Sequence, residues 1–101
     1  MRLKAAVIGL GKQSVDDHIP ALMESNLYEL KAVCDVDSER VNSIATQYDI
    51  GGFTKLDELL SVHTLDVVIV AVPHSHYLGI ITQAAKQGIH IIKEKPFATS
   101  V

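Results

Sequence analysis

The 101-residue chain has no tryptophan, one cysteine and only 5% aromatic residues. A lone Cys34 has no intrachain disulfide partner, so packing alone must hold the fold, and a reducing cytoplasmic setting is expected. Basic residues are outnumbered, 9 Lys and Arg against 12 Asp and Glu, and the net charge of −3 offers nucleic acid or anionic lipid no attraction. Long hydrophobic runs are missing as well. The central stretch from Val67 to Val72 falls far short of the roughly 18 residues that a membrane span needs. Arg2 and Lys4 precede only the short apolar stretch Ala5 to Leu10, without a small-residue cleavage site, and do not read as a secretory signal. With 6 glycines and 3 prolines there is no low-complexity tract, repeat or linker. The remainder, 48% hydrophobic and 21% charged, is the composition of one folded domain.

Two segments, Leu3 to Ile8 and Asp66 to Ala71, are short, rich in β-branched residues and apolar on both alternating faces. Such strands belong in a parallel sheet covered by helices on both sides. Further strands are expected at Tyr28 to Cys34, at Ile89 to Ile92 and, very short, at Ile50 to Phe53. Helical patterns fill the intervals. Pro20 stands near one helix start, Asp37 to Ala45 carries apolar residues at helical spacing with Asp37 as its cap, and Thr54 with Asp57 resembles a capping box. The stretch from Ser75 to Gln87 ends at Gly88, a natural helix C-cap. Strands alternating with helices predict right-handed crossovers and one doubly wound parallel sheet. After the last strand, Thr99 and Ser100 read as helix caps without a following helix, so residues 1–101 are expected to be a fragment of a longer chain.

Gly9-Leu10-Gly11-Lys12-Gln13-Ser14 directly follows the first strand and opens the first helix. In a dinucleotide-binding turn the first glycine makes the bend and the second lets the backbone approach the pyrophosphate. The third position, here Ser14, permits close helix packing. Ser14 is small enough for that place, and its hydroxyl could donate to a phosphate. Lys12 either offsets phosphate charge or is a solvated surface lysine. Asp35 ends the second strand, 24 residues after Gly11, where a carboxylate would accept from the adenosine ribose hydroxyls and repel a 2′-phosphate. NAD is therefore favoured over NADP. Cys34 reads as a small buried hydrophobe.

The Val72-Pro73-His74-Ser75-His76-Tyr77 loop and the later Lys93-Glu94-Lys95-Pro96 complete a recognisable set. Together with Ala6 to Gly11, His18-x-Pro20-Ala21-Leu22, and Cys34-Asp35 with Arg40 beyond, they span essentially the whole chain. This pattern resembles the N-terminal Rossmann domain of the Gfo/Idh/MocA oxidoreductases, the glucose-fructose oxidoreductase and inositol 2-dehydrogenase family. The resemblance implies that Gly9 through Ser14 hold the pyrophosphate, that Val72 and Pro73 pass beside the cofactor, and that Glu94 and Lys95 sit by the nicotinamide. Lys95 maps onto the family's catalytic lysine, whose pKa a nearby positive ring could lower. The loop departs from the family pattern, with His74 and Tyr77 where Asn and His are usual. His74 and His76 could instead meet substrate or nicotinamide, or cap the helix. No acidic or Cys residue lies near that pair in sequence, so no metal is expected. The implied activity is NAD(P)-dependent hydride transfer to or from a hydroxyl-bearing carbon of a sugar, polyol or related small molecule. The family's C-terminal substrate domain is absent, so this piece alone should be inactive. The full-length protein should be a homo-oligomer, and the strand at Ile89 to Ile92 should form an edge open to self-association. A non-catalytic NAD-sensing module is the alternative. An S-adenosylmethionine-binding fold would leave Glu94-Lys95-Pro96 unexplained.

Overall fold

A computed structural model describes residues 2–12, 14–72 and 77–93. Among the described residues five parallel strands form a single sheet: β1 (Leu3–Ile8), β2 (Tyr28–Cys34), β3 (Gly51–Phe53), β4 (Val67–Val70) and β5 (His90–Lys93), in the order β3-β2-β1-β4-β5. The chain first winds outward from β1 to β3, then crosses back over the sheet to lay β4 against the other side of β1. That reversal, between β1 and β4, is the place where open α/β sheets bind ligands.

The apolar runs behave as their composition requires. Every residue of β4 is buried, and so are the last four of β1, because helices cover both faces. One face packs α1 (Ile19–Glu24) and α2 (Ser38–Tyr48) onto Val7, Val33 and Ile69. The opposite face packs α3 (Leu56–Val62) and α4 (Tyr77–Lys86) onto Ile8, Val68 and Val70. Among the described residues no helix is long and apolar enough to cross a membrane.

Capping chemistry sets several boundaries. The Asp37 carboxylate accepts from the Glu39 and Arg40 amides at 3.0 and 3.2 Å and starts α2 as expected. Gly88, at φ 72°, closes α4 with a Schellman pair, in which Ile89 N–H donates to Ala84 O and Gly88 N–H to Ala85 O. One expectation needs correction. Thr54 does not cap α3: the N-cap position is Lys55, with no side-chain cap bond. The glycine turn opens the first helix as expected, by way of a π-helical turn at Ser14–His18 that continues into α1.

Candidate functional site

The sheet ladder runs on past the ends of the strands and fixes the loops that carry the site. Gly9 N–H donates to Cys34 O and Ala71 N–H to Ile8 O, both at 2.8 Å, while Asp35 N–H reaches Phe53 O at 3.2 Å. Gly9 adopts φ +102°, and a Cβ built there would stand 2.4 Å from the Ala71 carbonyl oxygen. Only glycine lets the β1 and β4 loops approach so closely. Gly11 differs: no described atom lies within 4 Å of a Cβ built there. Its bareness serves no packing contact within the described chain and leaves the turn's backbone accessible.

That turn forms one wall of a cleft of about 440 Å³ at the carboxyl ends of the strands. Gly9, Leu10, Gly11, Asp35 and Val72 all line it, so five of the expected residues converge from loops far apart in sequence. Lys12 and Ser14 are not among the lining residues. Lys12 points instead to Asp16, with Nζ 2.6 Å from the carboxylate, and this exposed pair raises the lysine pKa chiefly through the hydrogen bond. The Ser14 side chain is 1% exposed, and its hydroxyl has no hydrogen-bond partner among the described residues. It occupies the third-glycine place as a small buried residue. Gln13, Pro73, His74, His76, Glu94 and Lys95 lie outside the described residues.

Asp35 sits half-buried at the centre of the arrangement. One carboxylate oxygen accepts from Leu10 N–H at 2.6 Å and the other from Asp37 N–H at 2.9 Å. Sequence reasoning did not place two further residues here. Val36 is 88% exposed although apolar, and it lies on the rim beside Arg40. The Arg40 guanidinium donates to Leu10 O at 3.4 Å and stands 3.6 Å from the Asp37 carboxylate. Val36 carried no mark in the sequence, and Arg40 stood there only as part of the family pattern; the strand order sets both beside the glycine turn. Cys34 lines the same cleft from β2. Burial, and then the charge of Asp35, push its thiol up to about 11, so it is a neutral apolar wall and not a nucleophile. Among the described residues no group of three or more His, Cys, Asp or Glu side chains is gathered to hold a metal ion.

A parallel sheet with this strand order, a bare glycine turn after β1 and a carboxylate ending β2 define a dinucleotide-binding class of fold. Residues 3–101 match the GFO_IDH_MocA model, described as an oxidoreductase family with an NAD-binding Rossmann fold. The chain therefore belongs to the Gfo/Idh/MocA oxidoreductase family. It is 32% identical to a D-apiose dehydrogenase of Paraburkholderia graminis over 99% of this chain and 27% of that protein. A D-xylose 1-dehydrogenase (NADP(+)) of Haloferax volcanii is 30% identical over 91% of this chain and 27% of its own length. Among solved structures, an oxidoreductase from Agrobacterium radiobacter in complex with NAD+, L-tartaric acid and magnesium superposes with a TM-score of 0.86 at 27% identity. It covers 99% of this chain and 29% of its own. The chain thus spans under a third of the length of these proteins.

Proposed function

We propose that this chain is the nucleotide-binding domain of an NAD(P)-dependent dehydrogenase acting on a sugar, polyol or similar hydroxyl-bearing small molecule. The observation that carries the reading is the cleft at the sheet's reversal, where an unobstructed Gly11 and the Asp35 carboxylate line one cavity. These residues suit a dinucleotide: amides of the glycine turn and helix start for the pyrophosphate, and a carboxylate for the ribose. In this reading the backbone of Gly9 to Gly11 holds the phosphates and Asp35 the adenosine ribose, with Val36 and Arg40 flanking the adenine. The bound nicotinamide supplies the hydride acceptor or donor. Val72 and Pro73 orient it, and His74 and His76 face it or the substrate. Glu94 and Lys95 would belong to the nicotinamide side of the site, with Lys95 exchanging a proton with the substrate hydroxyl. The sugar dehydrogenases among the relatives support the substrate class.

Asp35 favours NAD over NADP, because its negative charge opposes a 2′-phosphate. Substrate choice would reside in the part of the relatives that this chain does not span. The whole protein would be a cytoplasmic homo-oligomer with no nucleic-acid partner, in keeping with the reduced, buried Cys34 and the net charge of −3. Calorimetric titration with NAD and with NADP, on the chain and on Asp35→Ala, tests the cofactor reading. Tighter binding of NAD that weakens in the variant is expected; a folded chain that binds neither nucleotide would refute it.

A further inference from the structure

We propose that Asp35 is a positioning residue for the glycine turn, holding Gly9 to Gly11 in its working shape before any nucleotide arrives. This rests on the nucleotide reading only for what the turn is shaped to hold. The peptide groups at Leu10 are gripped on both sides by one short segment after β2. Leu10 N–H donates to the Asp35 carboxylate at 2.6 Å, and Leu10 O accepts from the Arg40 guanidinium at 3.4 Å. The segment is itself tied together, since Asp37 N–H donates to the second Asp35 oxygen at 2.9 Å. The Asp37 carboxylate in turn accepts from Arg40 N–H at 3.2 Å and lies 3.6 Å from the Arg40 guanidinium. Leu10, Asp35, Asp37 and Arg40 thus close a circuit joining the β1 turn to the start of α2.

The two roles of Asp35 do not compete. An ionised carboxylate offers about four acceptor positions, and the two backbone amides leave the others for ribose hydroxyls. Asparagine cannot substitute. It has a single acceptor oxygen, and its NH₂ group would face an amide donor. The charge of Asp35 and its grip also act on a bound anion with opposite sign, because the charge repels phosphate while the grip builds the place that receives it.

The test uses the isotope-labelled chain, followed by nuclear magnetic resonance, and inorganic pyrophosphate as the probe. The Leu10 amide proton is expected to be protected from solvent exchange in the unaltered chain. Its exchange should quicken by roughly tenfold or more in Asp35→Asn and Asp35→Ala, as loss of a charge-assisted hydrogen bond requires. A Leu10 amide that exchanges freely in the unaltered chain overturns the proposal, and that measurement needs no variant to fold. Pyrophosphate, which has no ribose, then reads the cradle. Removing a negative charge alone would tighten its binding, whereas loss of the grip weakens it several-fold. Unchanged or tighter pyrophosphate binding in Asp35→Ala, alongside weakened NAD, would reduce Asp35 to a ribose ligand and also overturn the proposal. If the unaltered chain binds neither NAD nor pyrophosphate, the nucleotide reading falls, and the Leu10 amide still decides the grip.

Discussion

Replacing Gly9 by alanine and replacing Gly11 by alanine should have opposite consequences, although the two glycines flank a single residue. At Gly9 a methyl group meets the Ala71 carbonyl oxygen at 2.4 Å, its carbon at 2.8 Å and Val72 Cγ1 at 2.9 Å, in a backbone conformation of φ +102°. Two of those atoms are main chain and cannot rotate away. A side chain held in such a φ region costs about 1–3 kcal/mol, and forcing a methyl into a packed contact costs about as much again. A loss of about 2–6 kcal/mol follows, a large share of the roughly 5–15 kcal/mol that stabilises a domain of this size. Thermal denaturation followed by circular dichroism should show the Tm falling by about 8 °C or more, at about 4–8 °C per kcal/mol. Gly11→Ala meets no described atom within 4 Å and no left-handed φ. Its Tm should stay level or rise slightly, since alanine at a compatible site narrows the unfolded ensemble by about 0.4–1 kcal/mol. Nucleotide titration should show the reverse emphasis, with Gly11→Ala folded but weakened in binding. A Gly9→Ala chain as stable as the parent, or a Gly11→Ala chain equally crippled, would refute the division of labour assigned to this turn.

Three other substitutions address the surroundings of the cleft. Ser14→Ala removes a buried hydroxyl without a described partner and should raise stability by about 1 kcal/mol; a drop in Tm would mean that the hydroxyl is hydrogen-bonded in solution. Asp37→Ala deletes the cap of α2 and should lower the stability measured in urea by about 1 kcal/mol, whereas an unchanged midpoint would deny the cap its role. For Cys34, burial raises the thiol from 9.0 to about 11 in the folded chain. The stability held by the neutral thiol is therefore complete below the unfolded value and is lost as the pH rises toward the folded one. Over that alkaline window Cys34→Ala should lose Tm less steeply than the parent, and parallel slopes would acquit the thiol.

The strands that run through the middle of the sheet were the most legible part of the sequence. A strand buried on both faces must be apolar throughout, and Ala5 to Ile8 and Val67 to Val70 satisfy that demand without help from context. Edge elements carry weaker marks. β3 begins at Gly51 and not Ile50, and its second glycine is explained by α2, since a Cβ on Gly52 would meet Val41 Cγ1 at 2.7 Å and Ala45 Cβ at 2.9 Å; a Cβ on Gly51 would instead meet His63 Nε2 at 3.0 Å and the Phe53 ring at 3.1 Å. Thr54 had the chemistry of a cap, but α3 starts one residue too late to use it. The π-helical turn left no trace in the apolar spacing. In the site, Gly9, Gly11 and Asp35 were legible because backbone conformation and charge restrict which residues can stand there. Val36 and Arg40 were assigned no site role, because an exposed valine and an arginine on a helix are ordinary until the strand order sets them beside the glycine turn.

The placement of β1 between β2 and β4 has a consequence for the nascent chain. Ala5 pairs with Val67, 62 residues further along. At a synthesis rate of about 5–20 residues per second, one flank of the first strand made waits about 3–12 s for its neighbour after β1 itself has emerged. During that interval the flank is an unpaired template, exposed to other chains and to chaperones, while β2 can already close on its other side. Because the cleft takes residues from both flanks, no nucleotide can guide this early stage. Ligand can only select molecules whose central strand has found its distant partner, so bound cofactor reports completed assembly of the sheet.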